Sequence, residues 1–321
     1  SETNVQHDIE EFSRKISETI LKNIRGKPIE EGIRSLIVGK MVTTISFKDS
    51  DIVEKQTEDF GDIQVVVKGF NNLIDSLFDI IHNQTIKDYR TEDGIKEASK
   101  STKFLHLPDV LFMHLARFQY DNATQQNIKI NSKFSFPVEL DMAPFMTLEA
   151  IENESTDYTL TGIVVHSGNP VGGHYYTYMK DVPKDKWYLF NDSSISEESE
   201  DKVIAMNFGG QGSYADGELD GKNKTYSAYM LIYTRTKELD RIYQEVSAKD
   251  IPTRIVECMK EDLRIEEARR EAEKTTRFKL YDISCVVSNF SVGKPPLLNA
   301  TEKEIITVHE TGTVYDLYNE V

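Results

Sequence analysis

The sequence contains little cysteine and little positive charge. Cysteine occurs only at Cys258 and Cys285 among 321 residues, which is too few for a disulfide-built secreted fold or for a zinc site made of cysteines alone. Lys and Arg total 38 against 54 Asp and Glu, which gives a formal net charge of -16. This balance argues against duplex nucleic acid or an anionic membrane as a main partner, because phosphate is bound through Lys and Arg.

Long apolar runs are missing as well. No run approaches the roughly 18 residues that a membrane-spanning helix requires, and the first residues lack the charged and apolar regions of a signal peptide. We therefore expect no membrane partner and a location in the cytoplasm or the nucleus. With 39% hydrophobic and 10% aromatic residues, the chain has ordinary globular composition, and its length suits about two domains of roughly 150 residues.

Two segments have the apolar spacing of amphipathic helices. In the first, apolar residues recur three and four positions apart from Ile9 to Ile20. This spacing predicts a helix that starts at Asp8 and ends near Gly26, where glycine and a following proline are typical of a helix end. The second segment, residues 71–81, has the same spacing and predicts another helix.

The middle of the chain is rich in β-branched and aromatic residues, a composition that favours strands. Seven runs have it: 41–47, 62–68, 107–120, 159–168, 174–180, 186–191 and 227–235. The polar stretch 48–59, between the first two runs, predicts a loop.

The composition changes beyond about residue 238. Residues 249–277 are densely charged, with acidic and basic side chains in equal number, and their few apolar residues have helical spacing. This pattern predicts a solvated helix that acts as a connector. Residues 278–287 then predict a strand, and residues 304–321 predict a strand, a turn and the start of a helix. We expect these segments to be only the start of a second domain.

The sharpest local signal is the segment 172–192, in which two strand-like runs flank the polar turn DVPKD. With the turn centred between Val182 and Pro183, His174 lies directly opposite Asn191, with Cβ atoms about 5 Å apart. An amide oxygen that accepts a hydrogen bond from one ring N–H fixes the tautomer and leaves the other ring nitrogen free as a base. Asp192 follows as a polar group that holds a water or a backbone group beside the pair.

The same residues also suit a purely structural hairpin, and spacing alone leaves both interpretations open. Gly172 and Gly173 allow a close approach of another backbone, and we expect residues 167–173 to form a loop that moves over a cleft. Three other histidines lie in apolar runs and are expected to be structural: His106, His114 and His166. No metal-ligand spacing, phosphate-binding glycine loop or serine-nucleophile elbow occurs.

Seven motifs resemble those of the ubiquitin-specific protease family of cysteine deubiquitinases, most closely its herpesvirus-associated (HAUSP-like) branch. In family order they are QHDIEEF (6–12), LPDVLFMHLARFQYD (107–121), QNIKINSKFSFP (126–137), YTLTGIVVHSG (158–168), GGHYYTYMK (172–180), KWYLFNDSSIS (186–196) and SAYMLIY (227–233). The resemblance implies an α+β fold of the papain-like cysteine protease type over residues 1–238, with a palm, a fingers sheet and a partial thumb. It further implies a charged helical linker over 239–276 and the start of a ubiquitin-like β-grasp unit over 277–321.

The resemblance also implies residue roles. His174 matches the general base, Asn191 the third triad residue and Asp192 the neighbouring polar residue that assists. The residues that match contacts to the C-terminal tail of ubiquitin are Asp8, Glu11, Phe118, His166, Tyr175 and the blocking-loop glycines Gly172 and Gly173. Ubiquitin and ubiquitinated proteins are the implied partners, with the C-terminal helix and ubiquitin-like segment open to another protein. No cofactor or metal is implied, because the paired cysteines that hold zinc in the fingers of other members are missing.

One departure from the family concerns its nucleophile. The cysteine box that precedes the QHD motif in the family is absent, and neither Cys258 nor Cys285 takes its place. We therefore expect a chain that begins within the catalytic domain, lacks part of it and is inactive alone, with the nucleophile of a deubiquitinase outside it. The alternatives left open are a non-catalytic ubiquitin-binding module and an acidic scaffold whose helix at 249–277 docks a partner.

Overall fold

The structure, a computed structural model, divides the chain into two compact units, Ser1–Gln244 and Glu245–Val321. The residues that it describes are 8–47, 53–82, 84–91, 94–123, 125–170, 172–211, 224–245, 247, 249–273, 275–280 and 304–309. All of the candidate site residues belong to the first unit.

The helices of the described residues include the two that the apolar spacing predicts. The helices are α1 Ile9–Ile24, α2 Glu30–Ile37, α3 Leu73–Ile81, α4 Leu148–Asn153, α5 Glu200–Met206, α6 Leu239–Ile242 and α7 Thr253–Glu273. The Asp8 side chain caps α1 by accepting a hydrogen bond from the backbone N–H of Glu10 at 2.8 Å, which satisfies one of the unpaired donors of the first turn. The predicted helices α1 and α3 are thus confirmed, whereas α2 was not expected.

Each of the seven predicted runs overlaps at least one strand of the described residues. The strands are β1 Gly39–Phe47, β2 Val53–Phe60, β3 Asp62–Val66, β4 Gln84–Thr91, β5 Gly94–His106, β6 Val110–Ala116, β7 Phe118–Asp121, β8 Gln126–Lys129, β9 Glu139–Asp141, β10 Asp157–Asn169, β11 Gly172–Asp181, β12 Lys186–Asn191, β13 Ser194–Glu198, β14 Tyr226–Arg235, β15 Thr275–Leu280 and β16 Glu304–His309. Helices and mostly antiparallel strands in separate segments confirm the α+β class.

An eight-stranded sheet forms the centre of the first unit. Seven of its strands follow the order β13-β12-β11-β10-β14-β6-β3, and β9 pairs with β10. Cross-strand neighbours point to the same face of a sheet, and one row of them crosses six strands to form the core: Leu189, Tyr178, Ile163, Leu231, Met113 and Ile63. All of these except the partly buried Leu189 are buried.

A second sheet of four strands has the order β2-β1-β5-β4. It overturns the predicted loop over 48–59, because the second half of that stretch is β2, paired along its length with β1. The side chains of β2 are exposed on both faces except at Phe60, so the strand has none of the polar–apolar alternation from which strands are predicted. Strands β4 and β5 escaped prediction because both are rich in polar residues.

The predicted strand over 107–120 is broken at Arg117, which separates β6 from β7. The Arg117 side chain is fully buried. Its guanidinium donates to the carbonyl oxygens of Ala228 at 2.7 Å, Ile130 at 2.8 Å, Ser132 at 3.2 Å and Phe208 at 3.3 Å. Arg117 therefore ties together three segments that are distant in sequence, and β7 leaves the large sheet to pair with β8.

The second unit contains the charged helix α7 and the antiparallel pair of β15 and β16. Along α7, Ile255, Met259 and Leu263 are exposed. The helix falls inside the predicted connector, 249–277, and β15 overlaps the start of the predicted strand over 278–287. The remainder of that strand and the predicted turn and helix after β16 lie outside the described residues, as does Cys285.

Candidate active site

The hairpin of β11 and β12 carries the candidate histidine, but its register differs from the predicted one. Thr177 pairs with Phe190 and Asp181 pairs with Lys186, so every partner is shifted by two residues. The cause is a turn that extends to Asp185, which adopts the left-handed conformation at φ 50°. A shift of two residues returns each side chain to its original face. Asn191 therefore stays on the face of His174, although it is not directly opposite.

His174 and Asn191 are in contact through their side chains. The distance from His174 Nε2 to Asn191 Oδ1 is 2.5 Å. Because an amide oxygen only accepts hydrogen bonds, the ring must carry its proton on Nε2, which leaves Nδ1 with a free lone pair. The His174 side chain is 45% exposed, so the ring is open to a reactant. The pair has the geometry of a general base held by an orienting amide.

Asp192 lies next to this pair without a hydrogen bond to the ring. Its Oδ2 is 3.9 Å from His174 Nε2, and its side chain is 82% exposed. It follows Asn191 in the tight turn that leads to Ser194, where it adopts φ 51°. The two groups are therefore beyond hydrogen-bond distance, and water screens the interaction between them.

The two candidate glycines differ in what they permit. A Cβ atom on Gly173 would lie 2.3 Å from His166 Nε2, whereas one on Gly172 would meet nothing within 4 Å. Gly173 therefore allows β11 to pass against the His166 ring, and a side chain at Gly172 meets no steric barrier. The predicted loop over 167–173 is instead part of the β10–β11 hairpin in the described residues, since strand pairing continues through Gly168 with Gly173 to Asn169 with Gly172.

An aromatic cluster includes Tyr175, the residue that follows His174 along β11. The His166 ring is 5.0 Å from Phe118 and 4.8 Å from Tyr175 by ring centroids, and Tyr229 packs 5.4 Å from Phe118 and 5.7 Å from Tyr175. The Tyr229 hydroxyl donates to Asp8 Oδ2 at 2.5 Å. Three predicted tail contacts thus meet around a fourth residue, Tyr229, which sequence reasoning missed within the motif SAYMLIY.

Asp8 joins this cluster, but Glu11 stands apart from it. Asp8 holds Tyr229 with one carboxylate oxygen and caps α1 with the other. Glu11, one turn further along α1, forms an ion pair with Lys15 of the same helix at 2.7 Å, and its side chain is half-exposed. The structure therefore places one acidic side chain inside the aromatic cluster and a second on the neighbouring surface of α1.

The buried histidines are held in their neutral form. Burial is the main cause that lowers the pKa of His166 to about 4, and nearby Lys129 adds to the effect. Burial also lowers the pKa of His114, whose ring meets Tyr229 edge to face at 4.7 Å. Within the described residues, His114 Nε2 and His166 Nδ1 are buried without a hydrogen-bond partner. Of the three histidines expected to be structural, only His106 has a polar side-chain partner, the Glu154 carboxylate.

Acid is expected to destabilise the first unit through His166. In the unfolded chain His166 binds a proton as the pH falls below about 6.5, whereas in the folded chain it stays neutral down to about pH 4. The free energy of unfolding therefore decreases between these two pH values, by about 3 kcal/mol for a shift of this size. Urea unfolding between pH 4.5 and 7.5, followed by the fluorescence of the single, buried Trp187, measures the slope. His166→Gln should flatten it, whereas the exposed His82→Gln should not; equal slopes in both variants would contradict the assignment.

The residues that the structure describes contain neither a metal-binding cluster nor a membrane-spanning helix. They hold no group of three or more His, Cys, Asp or Glu side chains placed to bind a metal ion. None of their helices is long and apolar enough to cross a membrane. Cys258 is exposed on α7, in the second unit.

Comparison with known proteins matches residues 1–233 to the sequence profile of a family described as ubiquitin carboxyl-terminal hydrolase. The chain is 34% identical over 274 residues to ubiquitin carboxyl-terminal hydrolase 15 of Schizosaccharomyces pombe, covering 83% of this chain and 24% of that protein. It is 34% identical over 271 residues to hydrolase 7 of Drosophila melanogaster, with 83% and 24% covered. It is also 31% identical over 314 residues to hydrolase 15 of Saccharomyces cerevisiae, with 88% and 25% covered. The chain thus spans about a quarter of the length of these relatives.

Proposed function

Because this chain belongs to the ubiquitin carboxyl-terminal hydrolase family, among the ubiquitin-specific proteases that include the herpesvirus-associated branch, we propose that it supplies the base and the ubiquitin channel of a deubiquitinase. The reaction is hydrolysis of the isopeptide or peptide bond at the C-terminal glycine of ubiquitin. The observation that carries the proposal is the contact between His174 Nε2 and Asn191 Oδ1 at 2.5 Å, with Tyr175 of the aromatic cluster next to His174 along β11.

The nucleophile in this proposal is a cysteine outside the chain. Residues 1–244 contain no cysteine, and both Cys258 and Cys285 belong to the second unit. His174 Nδ1 takes the proton of the thiol, and the thiolate attacks the carbonyl carbon of the terminal glycine. The C–N bond breaks as the amine leaves with the proton from His174, and a thioester remains. Water activated by His174 then hydrolyses the thioester, which restores the thiol and releases the carboxylate of ubiquitin.

Two other side chains support the base in this reaction. Asn191 holds the ring so that Nδ1 faces the thiol. Asp192, at 3.9 Å from the ring, is the neighbouring polar residue that assists.

The aromatic cluster forms the proposed channel for the tail of ubiquitin. In this proposal the tail of ubiquitin, which is slender because it ends in two glycines, passes Phe118, His166 and Tyr175 on its way to His174. Asp8 and Glu11 supply the carboxylates for the basic side chains of the tail. The neutral state of His166 suits this role, because a positive charge inside the channel would repel a basic tail.

Ubiquitin binding by the chain itself tests this proposal. We expect measurable binding that Glu11→Gln weakens about tenfold, through a loss of electrostatic attraction that becomes smaller as salt is added. Asp8→Asn should also weaken ubiquitin binding, because it removes the negative charge of the carboxylate. Asparagine still caps α1, so the helix itself is retained. Glu18→Gln, an exposed residue on the same helix, is the matched control and should bind like the wild type. Binding that is absent, or equal in all variants, would contradict the channel.

A second candidate function is a ubiquitin-binding module without catalysis, favoured by the missing cysteine in residues 1–244. Ubiquitin with a C-terminal electrophile separates the two. The test uses a longer protein in which a cysteine-bearing segment of the same gene is joined to this chain. If that protein is a deubiquitinase, the ubiquitin electrophile should label the cysteine. Binding of ubiquitin without labelling would instead support the module.

Several finer assignments belong to the same proposal. The eight-stranded sheet is the palm, the β2-β1-β5-β4 sheet is the fingers, and α1 with α2 is part of the thumb. The pair of β15 and β16 begins a ubiquitin-like unit, and α7 links it to the catalytic part. The exposed apolar side chains of α7 and the ubiquitin-like unit offer a surface to another protein. Ubiquitinated proteins of the cytoplasm or the nucleus are the proposed substrates.

A further inference from the structure

Lys129, the last residue of β8, has its ammonium group among backbone carbonyl oxygens. Its Nζ donates to Thr225 O at 2.7 Å, His166 O at 2.8 Å and Gly168 O at 3.3 Å. An ammonium has three donors, and all three are used. Burial and the neighbouring Arg117 lower the pKa of Lys129 to about 8, so the group is mostly charged at neutral pH and needs these acceptors to offset its lost hydration.

The three carbonyl groups lie where β10 approaches its turn and where β14 begins. His166 and Gly168 flank Ser167, and Ser167 is the direct cross-strand partner of His174. Gly168 also donates its N–H to Thr225 O at 3.0 Å. Lys129 thus fixes the piece of backbone against which His174 is paired.

A second contact from the same hairpin holds His166. Lys129 pairs with Phe118 across β7 and β8, and the Phe118 ring packs edge to face on the His166 ring. One cross-strand pair therefore holds both ends of His166, the ring through Phe118 and the carbonyl oxygen through Lys129.

We propose that Lys129 is a positioning residue for His174. Its hydrogen bonds to the carbonyl oxygens of His166, Gly168 and Thr225 hold the backbone with which His174 is paired. This backbone in turn aligns the base with Asn191 and with the channel. Lys129 touches neither His174 nor the tail of ubiquitin in this role. The functional part of the inference rests on the proposed deubiquitinase, whereas the structural part concerns the chain alone.

Three variants of the full chain test the inference. Lys129→Met keeps the length of the side chain and removes its donors, and Lys129→Arg keeps a cation with several donors. Lys133→Met, at an exposed position four residues away, is the matched control. The readouts are hydrogen exchange of the Gly168 amide relative to the amides of β6, the tautomer of His174 from imidazole ¹⁵N shifts, and the rate at which ubiquitin dissociates.

In Lys129→Met we expect the Gly168 amide to exchange at least about tenfold faster while the β6 amides keep their protection. His174 should lose its pure Nε2–H state, and ubiquitin should dissociate about tenfold faster, since an interface change acts mainly on the dissociation rate. Lys129→Arg should restore all three readouts, and Lys133→Met should leave them at wild-type values. If Lys129→Met does not fold, Lys129→Gln is measured in its place with the same expectations.

Two results would overturn the positioning role. The first is an unchanged Gly168 amide and His174 tautomer in Lys129→Met. The second is equal acceleration of the Gly168 and β6 amides, or a failure of Lys129→Arg to restore them, because either means that Lys129 only stabilises the fold. Wild-type chain that binds no ubiquitin would refute the proposed function, while the exchange and tautomer measurements still decide the role of Lys129.

Discussion

Replacing Arg117 by methionine is expected to unfold the first unit or bring it close to unfolding. The guanidinium donates to four carbonyl oxygens, those of Ala228, Ile130, Ser132 and Phe208, which are buried or partly buried. Each acceptor left unsatisfied costs about 1–3 kcal/mol, so a loss on the order of 4 kcal/mol is expected even when some find other donors. Total stabilities of domains are only about 5–15 kcal/mol.

Urea unfolding followed by Trp187 fluorescence measures this loss. Trp187 is the single tryptophan and is buried in the core of the first unit. Arg14→Met, on the exposed surface of α1, is the matched control and should change stability by less than about 0.5 kcal/mol. Arg117→Lys should be intermediate, because its ammonium reaches fewer of the four acceptors. An Arg117→Met variant as stable as Arg14→Met would show that the carbonyl groups find other donors.

His174→Gln is expected to abolish hydrolysis while leaving ubiquitin binding nearly intact. Without the imidazole, no group takes the thiol proton or returns it to the leaving amine, and general acid–base catalysis of this kind contributes about 10²–10⁴-fold to the rate. The measurement is the release of a fluorogenic amine from the C-terminus of ubiquitin, by the proposed enzyme with its cysteine-bearing segment. The dissociation constant for ubiquitin should change less than about twofold, because glutamine keeps a polar side chain of similar reach.

Asn191→Ala separates the role of the amide from that of the base. It should lower the rate less than His174→Gln does, because the imidazole remains but is no longer held as the Nε2–H tautomer. His82→Gln, at an exposed position after α3, should hydrolyse at the wild-type rate. Full activity in His174→Gln would assign the base to another residue, and the proposed mechanism would be wrong.

The strands that carry the site were predictable because their composition is dominated by burial. The run 186–191 matches β12 residue for residue, and the runs for β10, β11 and β14 agree to within two residues at each end. In β10 and β14, β-branched and aromatic side chains fill the core, so pattern and structure have a common cause. Strand β2 forms through backbone pairing with β1. This pairing produces no pattern of polar and apolar side chains from which the strand could be predicted.

The contacts between the strands were less predictable. The hairpin register depended on the backbone conformation of Asp185, a local property that the composition of the turn did not reveal. Tyr229 and Lys129 were missed because their partners lie far away in the sequence: Asp8 for Tyr229, and Thr225 for Lys129. No local pattern records such contacts.

The position of β14 has a consequence for synthesis of the protein on the ribosome. This strand lies between β10 and β6 in the large sheet, yet it is the last strand of the first unit to be made. Until residues 226–235 leave the ribosome, the nascent chain holds β6 and β10 with unpaired inner edges and without the acceptor that Ala228 provides for Arg117. The central part of the large sheet therefore cannot close until residues 226–235 are available, and until then the emerging chain exposes unpaired strand edges.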